Sequence, residues 1–275
     1  MPSIARTTIK RVNAGTISDA DDLLAAEEPL EIRLEYGEAK KRIQKNISVT
    51  MRTPGNDFEL ATGFLYTEGI IQSNADVVSI KYVKEDNENI VLVSLNEGVT
   101  PAIGNLERNF YTTSSCGVCG KASIEAVRTT CNIPDSFDHL RISNNLIYQL
   151  PGLLRGRQDV FENTGGLHAC ALFDMNGALL LSREDVGRHN ALDKLIGAAV
   201  NEALLPLDKH ILLLSGRASF ELVQKAIMAG IKMVAAVGAP SSLAVEMAEE
   251  WGITLIGFLR GERFNIYSGA ERIVI

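Results

Sequence analysis

The 275-residue sequence lacks long apolar runs, and none approaches the roughly 18 residues that a membrane-spanning helix needs. The first ten residues, MPSIARTTIK, lack the apolar core of a secretion signal. Basic charge is also scarce: 27 Lys and Arg against 34 Asp and Glu give a net charge of −7. That balance argues against a nucleic-acid or anionic-membrane surface. We therefore expect a soluble cytoplasmic protein with neither nucleic-acid nor membrane partners.

Cysteine is scarce as well, since four residues in a chain of this length do not make a disulfide framework. Cys131 and Cys170 stand alone and are interpreted as small core residues. Cys116 and Cys119 lie close together in the segment SSCGVCGK. In a reducing compartment, such a pair indicates metal binding, redox exchange or sulfur chemistry.

Hydrophobic residues make up 46% of the chain and charged residues 22%, which is typical of a globular protein with a sizeable core. Residues 1–108 are predicted to form a β-rich domain, because EIRLEYG and RIQKNISVTM alternate apolar and polar residues. One helix is predicted there, over NDFELATGFLYTEGII, with Asn56 as its cap and Glu59 completing a capping box. The basic stretch at residues 40–45 is interpreted as a solvated strand edge.

Residues 109–120 are predicted to form a loop that carries the cysteine pair. The surrounding stretch is rich in Gly, Ser, Thr and Asn, and a connection of this length is usually functional or disordered. Beyond it, helical and strand patterns alternate. Residues 121–275 are therefore predicted to form an α/β domain with a partly parallel sheet covered by helices.

Spacing alone leaves three interpretations of the cysteine pair open. The first is half of a zinc site completed by His168 and Cys170, although no second paired motif is present. The second is a thioredoxin-like redox pair, although no preceding β-α-β unit is apparent. The third is a persulfide carrier, which requires a reachable thiolate with room around it. Backbone N–H groups near Gly117 and Gly120, and a helix start at Lys121, would favour negative charge there.

Two later segments have the character of ligand-binding loops. Ser215-Gly216-Arg217 follows a buried strand and opens a helix, where backbone N–H groups and a guanidinium can meet a phosphate. Arg260 and Arg263 follow the last predicted strand of the sheet, and α/β proteins commonly bind ligands at strand carboxyl ends. The simpler interpretation is that each is a surface arginine paired with a neighbour such as Glu262.

The sequence EDVGRHNALDK contains two further polar residues ahead of a helix. Asp185 is interpreted as a residue that caps a turn. His189 is compatible with acid–base chemistry, but a lone histidine at a helix start is more often structural.

The segments SSCGVCGKAS, GGLHACALF, EDVGRHNALDK, LLSGRASFELVQKA and GFLRGERFNIYSG, in this order, resemble the formate dehydrogenase accessory sulfurtransferases, the FdhD/NarQ family. The resemblance spans nearly the whole chain. It implies a cytoplasmic sulfurtransferase that accepts sulfur from a cysteine desulfurase. The sulfur then passes to the bis-guanine-dinucleotide molybdenum cofactor before that cofactor enters the formate dehydrogenase catalytic subunit.

The resemblance also implies roles for individual residues. Cys116 would carry the persulfide and Cys119 would assist it. The cofactor would be bound by Phe258, Leu259, Arg260, Gly261, Glu262 and Arg263, with a homodimer as the working unit. Arg217 fits the same role, since arginine and diphosphate oxygens are complementary, and Phe258 offers a surface on which guanine can stack.

A second resemblance concerns the fold of residues 121–275, which is similar to the cytidine-deaminase-like fold without its zinc site. Those enzymes use an H-x-E element followed by P-C-x-x-C. Here the first element is His168-Ala169-Cys170, and Ser215–Ser219 has no cysteine. Deamination is therefore not expected. The alternative to sulfur transfer is a non-catalytic chaperone that binds the molybdenum cofactor for formate dehydrogenase.

Overall fold

The structure is a computed structural model that describes residues 2–83, 89–103 and 140–275. Cys116, Cys119, the predicted loop 109–120 and the predicted helix that follows it lie outside the described residues. The described part contains two main sheets, each with its own hydrophobic core. It is a mixed α/β fold, as the sequence predicts. No helix in the described ranges is long and apolar enough to cross a membrane.

The first half consists mainly of strands, with one helix. Its elements are β1 (Ile4–Asn13), β2 (Thr16–Ala25), β3 (Glu28–Tyr36), β4 (Ile43–Arg52), α1 (Asp57–Thr67), β5 (Val77–Tyr82) and β6 (Ile90–Leu95). Strands β1 and β2 form a separate hairpin, and the other four form a sheet in the order β4-β3-β6-β5. The alternating apolar residues Leu30, Ile32 and Leu34 of β3 are buried against α1. This burial follows from the two-residue period of a strand.

The second half is built around a six-stranded sheet. Its elements are β7 (Ile142–Ser143), α2 (Asn144–Arg155), α3 (Asp159–Thr164), β8 (His168–Asp174), β9 (Leu179–Asp185), α4 (Arg188–Asn201), β10 (His210–Leu214), α5 (Phe220–Met228), β11 (Met233–Ala236), α6 (Ser242–Glu250), β12 (Thr254–Arg260), β13 (Arg263–Ser268) and β14 (Ile273–Val274). The strand order is β13-β12-β11-β10-β8-β9.

Helices cover both faces of this sheet. Residues of α4, α5 and α6 pack on one face with Leu212 and Leu255, whereas α2 packs on the other face with Phe173 and Leu213. Successive residues of β8 enter opposite cores, because side chains alternate across a strand. The buried Cys170 belongs to the α4 side, which confirms its interpretation as a core residue.

Two local predictions were wrong. Asn56 precedes α1, but its backbone is left-handed (φ 57°) and its side chain makes no capping hydrogen bond. Glu59 forms no capping box because its carboxylate binds Arg183, with Nη2 donating to Oε1 at 2.7 Å. The interpretation of the basic stretch holds in part: Lys45 lies on β4, an edge strand of its sheet, whereas residues 40–42 precede β4, which begins at Ile43.

Helices α1 and α4 join the two halves at a crossing of two glycines. A Cβ atom at Gly63 would lie 2.8 Å from the backbone nitrogen of Gly197, and one at Gly197 would lie 2.8 Å from that of Gly63. Each would also overlap a carbonyl oxygen of the other helix, that of Asp193 or of Glu59. Only residues without a side chain permit backbones to approach this closely.

Candidate functional site

Four strands of the large sheet end at the same edge, which we call the carboxyl edge. Strands β9, β10, β11 and β12 run in one direction, and β8 runs in the opposite direction and begins there. Helices α4, α5 and α6 also begin there, at Gly187, Ser219 and Ser241. The positive ends of three helix dipoles thus face the same side of the sheet. Open α/β sheets bind ligands at this kind of edge.

The loops at the carboxyl edge are held together through Gly238. Its N–H donates to the carbonyl of Gly216 at 2.9 Å, and its own carbonyl accepts from Phe258 N–H at 3.0 Å. A Cβ at Gly238 would lie 3.0 Å from the backbone nitrogen of Arg217. The loops that follow β10, β11 and β12 are therefore in backbone contact, which fixes Arg217 and Phe258 relative to one another.

The segment from Phe258 to Arg263 forms the end of β12, a turn and the start of β13. Phe258 has a positive φ of 54° and is 42% exposed, so part of its ring is available for stacking. Leu259 points the other way and is buried in the core next to α2. Arg260 and Arg263 are opposite one another on the two strands, and Gly261 occupies the turn with φ 55°.

Of this segment, Arg260, Gly261, Glu262 and Arg263 are exposed, as is Arg217. The buried Leu259 side chain anchors the segment. The exposed side chains on either side of it are the aromatic ring of Phe258 and the charged groups of Arg260, Glu262 and Arg263. The structure thus brings Arg217 and Phe258 together across forty residues of sequence, while Cys116 and Cys119 are not described.

Positive charge surrounds His168 at the start of β8. Burial lowers the pKa of His168, and the guanidinium groups of Arg188 and Arg217 lower it further against a small opposing effect of Asp185. The Nε atom of Arg188 is buried and has no hydrogen-bond partner within the described ranges. His168 is therefore neutral at pH 7, beside two arginines whose charges favour an anion.

Asp185, at the end of β9, organises the backbone of the carboxyl edge. Its Oδ1 accepts from Gly187 N–H at 2.8 Å, which confirms the interpretation of Asp185 as a turn cap. Its Oδ2 accepts from Lys194 Nζ at 2.7 Å and from Thr53 N–H at 3.1 Å. Asp185 and Lys194 are both almost fully buried, and Lys194 also donates to the carbonyl of Thr53 at 2.8 Å. This buried pair ties the end of β4 to the carboxyl edge.

A second buried group of charges lies between α1, α4 and α5. Lys225 Nζ lies 3.0 Å from both carboxylate oxygens of Asp193 and 2.9 Å from the hydroxyl of Thr67. Burial alone lowers the pKa of Lys225, but the carboxylates of Asp193, Glu68 and Glu221 outweigh this and raise it above its ordinary value. Lys225 is therefore charged, and the two halves of the chain share its hydrogen bonds.

His189 links this group to the carboxyl edge. Its Nε2 lies 3.3 Å from the hydroxyl of Ser219 and 3.5 Å from a carboxylate oxygen of Glu221. Glu221 in turn lies 3.8 Å from Lys225. His189 is buried, so its position agrees with the structural role expected for a histidine at a helix start.

A cavity of about 480 Å³ opens beside the carboxyl edge, on the side of α2 and α3. Its lining includes Pro151, Leu154, Arg155, Gln158, Phe161, Leu167, His168, Ser215 and Val237. Glu184 holds one wall in place by accepting from the N–H groups of Val160 and Phe161 in the first turn of α3. Sequence reasoning missed this cavity, since its lining comes from three separate parts of the chain, residues 151–168, Ser215 and Val237, without a common motif.

Chemically, the carboxyl edge can bind an anion through helix N-termini and arginines, and it can stack a flat ring on Phe258.

The alternative zinc interpretation was built on Cys116 and Cys119, which lie outside the described residues. Among residues 2–83, 89–103 and 140–275, no group of three or more His, Cys, Asp or Glu side chains is arranged to hold a metal ion.

Comparisons with known proteins identify the family. The model of the FdhD/NarQ family matches residues 25–274. A protein of Streptomyces coelicolor named "Sulfur carrier protein FdhD" is 51% identical, with 98% of this chain and 95% of the relative covered. A protein of the same name from Mycobacterium tuberculosis is 46% identical, with 98% of each chain covered.

A crystal structure from Desulfotalea psychrophila, assigned as a formate dehydrogenase accessory protein, has the same fold. The TM-score is 0.76, the sequence identity is 23%, and 99% of this chain and 100% of that chain are covered. At this identity, the likeness supports the fold alone. The match of the family model over residues 25–274 and the identities of about half show that this chain belongs to the FdhD/NarQ family.

Proposed function

We propose that this protein is a sulfurtransferase that serves formate dehydrogenase. In this proposal, Cys116 accepts sulfur from a cysteine desulfurase as a persulfide, and Cys119 assists. The sulfur is passed to the bis-guanine-dinucleotide molybdenum cofactor, which is the substrate. The protein acts in the cytoplasm as a homodimer and delivers the cofactor to the catalytic subunit of formate dehydrogenase. The names of the relatives, which describe sulfur carrier proteins, support the sulfur-carrying part.

The loading step is an exchange between a thiolate and a persulfide. The Cys116 thiolate attacks the terminal sulfur of the persulfide on the desulfurase. A new S–S bond forms on Cys116 as the donor's S–S bond breaks, and the donor cysteine leaves as a thiolate. No net oxidation or reduction is needed, because one persulfide replaces another.

The observation that most supports cofactor binding is the contact of Gly238 with both Arg217 and Phe258. It holds an arginine and an exposed aromatic ring at one edge of the sheet, next to three helix N-termini. A guanine nucleotide has diphosphate oxygens for the arginines and helix ends, and a base for the ring. Arg260 and Arg263, on the adjacent hairpin, add positive charge.

We also propose that the second half has the cytidine-deaminase-like fold without its zinc site. The two segments that correspond to the zinc signature are neighbours, because Ala169 N–H donates to the hydroxyl of Ser215 at 2.8 Å. In this correspondence His168 is kept, Cys170 stands where the catalytic glutamate would be, and Gly216 and Ser219 stand where the two cysteine ligands would be. This pocket would then serve a different ligand, which agrees with a cofactor-binding role.

The proposal is tested by mass spectrometry after incubation with a cysteine desulfurase and free cysteine. We expect a reducible gain of one sulfur on the peptide that contains Cys116 and Cys119, and its loss in Cys116→Ala. Cys170→Ala is the matched control, since this cysteine is buried and burial raises the pKa of its thiol, and it should leave loading unchanged.

A second measurement separates transfer from chaperoning. If the protein transfers sulfur, formate dehydrogenase made with the Cys116→Ala variant should contain cofactor but lack activity. If the client enzyme instead lacks the cofactor, or if no sulfur is loaded by an active desulfurase, the sulfurtransferase proposal is refuted in favour of the chaperone.

A further inference from the structure

We propose that the hairpin of β1 and β2, which we call the arm, adds its strand β2 to the outer edge of β4 in a second copy of this chain. By two-fold symmetry, the arm of the second copy adds to β4 of the first. The inference rests on the homodimer of the proposed function, because it names the surface through which that dimer would form. The arm ends at Ala25, where the match to the family model begins, so the family resemblance does not account for it.

The first observation is the isolation of the arm. Its two strands pair with one another along their whole length, and within the described ranges no other strand pairs with either of them. Ten residues of strand extend over about 33 Å. The base of the arm packs against the body, since a Cβ atom at Gly166 would lie 3.3 Å from that of Ala25. A two-stranded hairpin is marginally stable by itself in water, so we expect further contacts to stabilise this one.

The second observation is an apolar pair at the far end of the arm. Val12 and Ile17 lie directly opposite one another, beside the turn at residues 14 and 15. Their exposed fractions are 63% and 67%. Opposite residues of an antiparallel pair have their side chains on one face and in contact. Contiguous apolar surface of this kind, unlike a single scattered residue, is typical of a contact with another protein surface.

The third observation is the edge of the smaller sheet. The strand order β4-β3-β6-β5 leaves one side of β4 without a neighbouring strand among the described residues. This edge strand is ten residues long, like β2, and Val49 and Met51 on it are 52% and 44% exposed. A long edge strand with exposed apolar residues is a template for pairing with a strand of another chain.

Charge selects β2, and not β1, as the strand that lies beside β4. Strand β1 has three basic residues and no acidic one, whereas β2 has Asp19, Asp21 and Asp22 and no basic one. Residues 40–45, at the start of β4, include four basic residues and no acidic one. Opposite charges on neighbouring strands stabilise a sheet and like charges destabilise it. Pairing of the two arms with one another through β2, or of the two β4 strands, would bring like charges together.

One antiparallel register matches both the apolar and the charged residues. Ile17 and Asp21 are four residues apart on β2, and Val49 and Lys45 are four residues apart in the reverse direction on β4. A register that places Ile17 opposite Val49 therefore places Asp21 opposite Lys45. Asp19 is already paired with Lys10 inside the arm. Asp21 lies opposite Thr8 there, so its charge is available to the second copy.

The test is a charge exchange in the full-length protein, followed by sedimentation equilibrium over a range of concentrations. Asp21→Lys and Lys45→Asp each place like charges at both symmetric contacts, and each variant alone should dimerise at least about tenfold more weakly than the wild type. In an equimolar mixture of the two variants, one contact of the mixed dimer is the natural one and the other has its charges exchanged. Because both contacts are then complementary, we expect the mixture to recover most of the wild-type affinity. Recovery also excludes misfolding of either variant as the cause of its weaker association.

Glu249→Lys is the matched control, because it reverses one exposed carboxylate on α6 and should leave the dimer unchanged. The proposal is overturned if the wild type is a monomer at every concentration, if either variant alone dimerises as tightly as the wild type, or if the mixture associates no better than its components. Failure of the sulfurtransferase is recognised separately through persulfide loading on Cys116. A wild type that dimerises as expected but takes up no sulfur refutes the transferase and not the arm, and a monomeric wild type that takes up sulfur refutes the arm and not the transferase.

Discussion

The glycine crossing between α1 and α4 gives a prediction whose sign can be worked out from the structure. In a helix interior, replacing Gly by Ala normally raises the free energy of unfolding by about 1 kcal/mol. At Gly197, however, the new methyl group would meet the backbone of α1, at 2.8 Å from Gly63 N and in overlap with the carbonyl of Glu59. Both obstacles are backbone atoms, so no side-chain rotation relieves them and the two helices have to separate.

The magnitude follows from two opposing effects. Overpacking of a core by one methyl group costs about 1–3 kcal/mol, and a contact between rigid backbones falls at the upper end. After subtraction of the propensity gain of about 1 kcal/mol, Gly197→Ala should lower the free energy of unfolding by about 2 kcal/mol. For a chain of this size, the midpoint of thermal unfolding should fall by roughly 4–8 °C.

Gly152→Ala is the matched control for this prediction. Gly152 lies inside α2, and a Cβ atom there would meet no atom within 4 Å. This variant should gain stability of up to about 1 kcal/mol. Both variants are compared with the wild type by urea denaturation followed by far-UV circular dichroism. If Gly197→Ala proves as stable as Gly152→Ala, the close approach of the helices is not a constraint and the reasoning is refuted.

Three further predictions concern buried charges and the carboxyl edge. Lys225→Met should lower the free energy of unfolding by about 3–5 kcal/mol, because it leaves the Asp193 carboxylate buried without its cation. Adding Asp193→Leu to the same chain should recover most of this loss, as measured by urea denaturation. Because the pKa of His168 is lowered in the folded state, its stabilising contribution is complete above pH 6.5 and is lost as the pH falls through the folded pKa. His168→Asn should therefore flatten the loss of stability between roughly pH 7 and pH 5, and an unchanged slope would contradict this. Arg217→Gln should weaken GDP binding about tenfold with little change in stability, as measured by calorimetry.

Several features of the structure could be predicted from short stretches of sequence, because interactions between nearby residues determine them. The two-residue alternation of β3 and β8 determines which residues enter a core, and the lone Cys170 is buried as expected. Asp185 caps its own turn, since the donor at Gly187 is only two residues away. The strand and helix order of the second half is likewise visible in the sequence. Predictions from local sequence fail where a distant residue competes for the same group. Glu59 forms no capping box because its carboxylate binds Arg183, which is 124 residues away.

The sequence by itself determined the family, the mixed α/β class and the segments that carry charge and aromatic groups, because those depend on residue type and order along the chain. Only the tertiary structure decided which segments meet. The close approach at Gly238 holds together the loops that carry Arg217 and Phe258, and the crossing at Gly63 and Gly197 joins the halves. The cavity beside the carboxyl edge exists only because residues 151–168, Ser215 and Val237, which are distant from one another along the chain, pack around one space. No periodicity or spacing along a chain encodes that convergence.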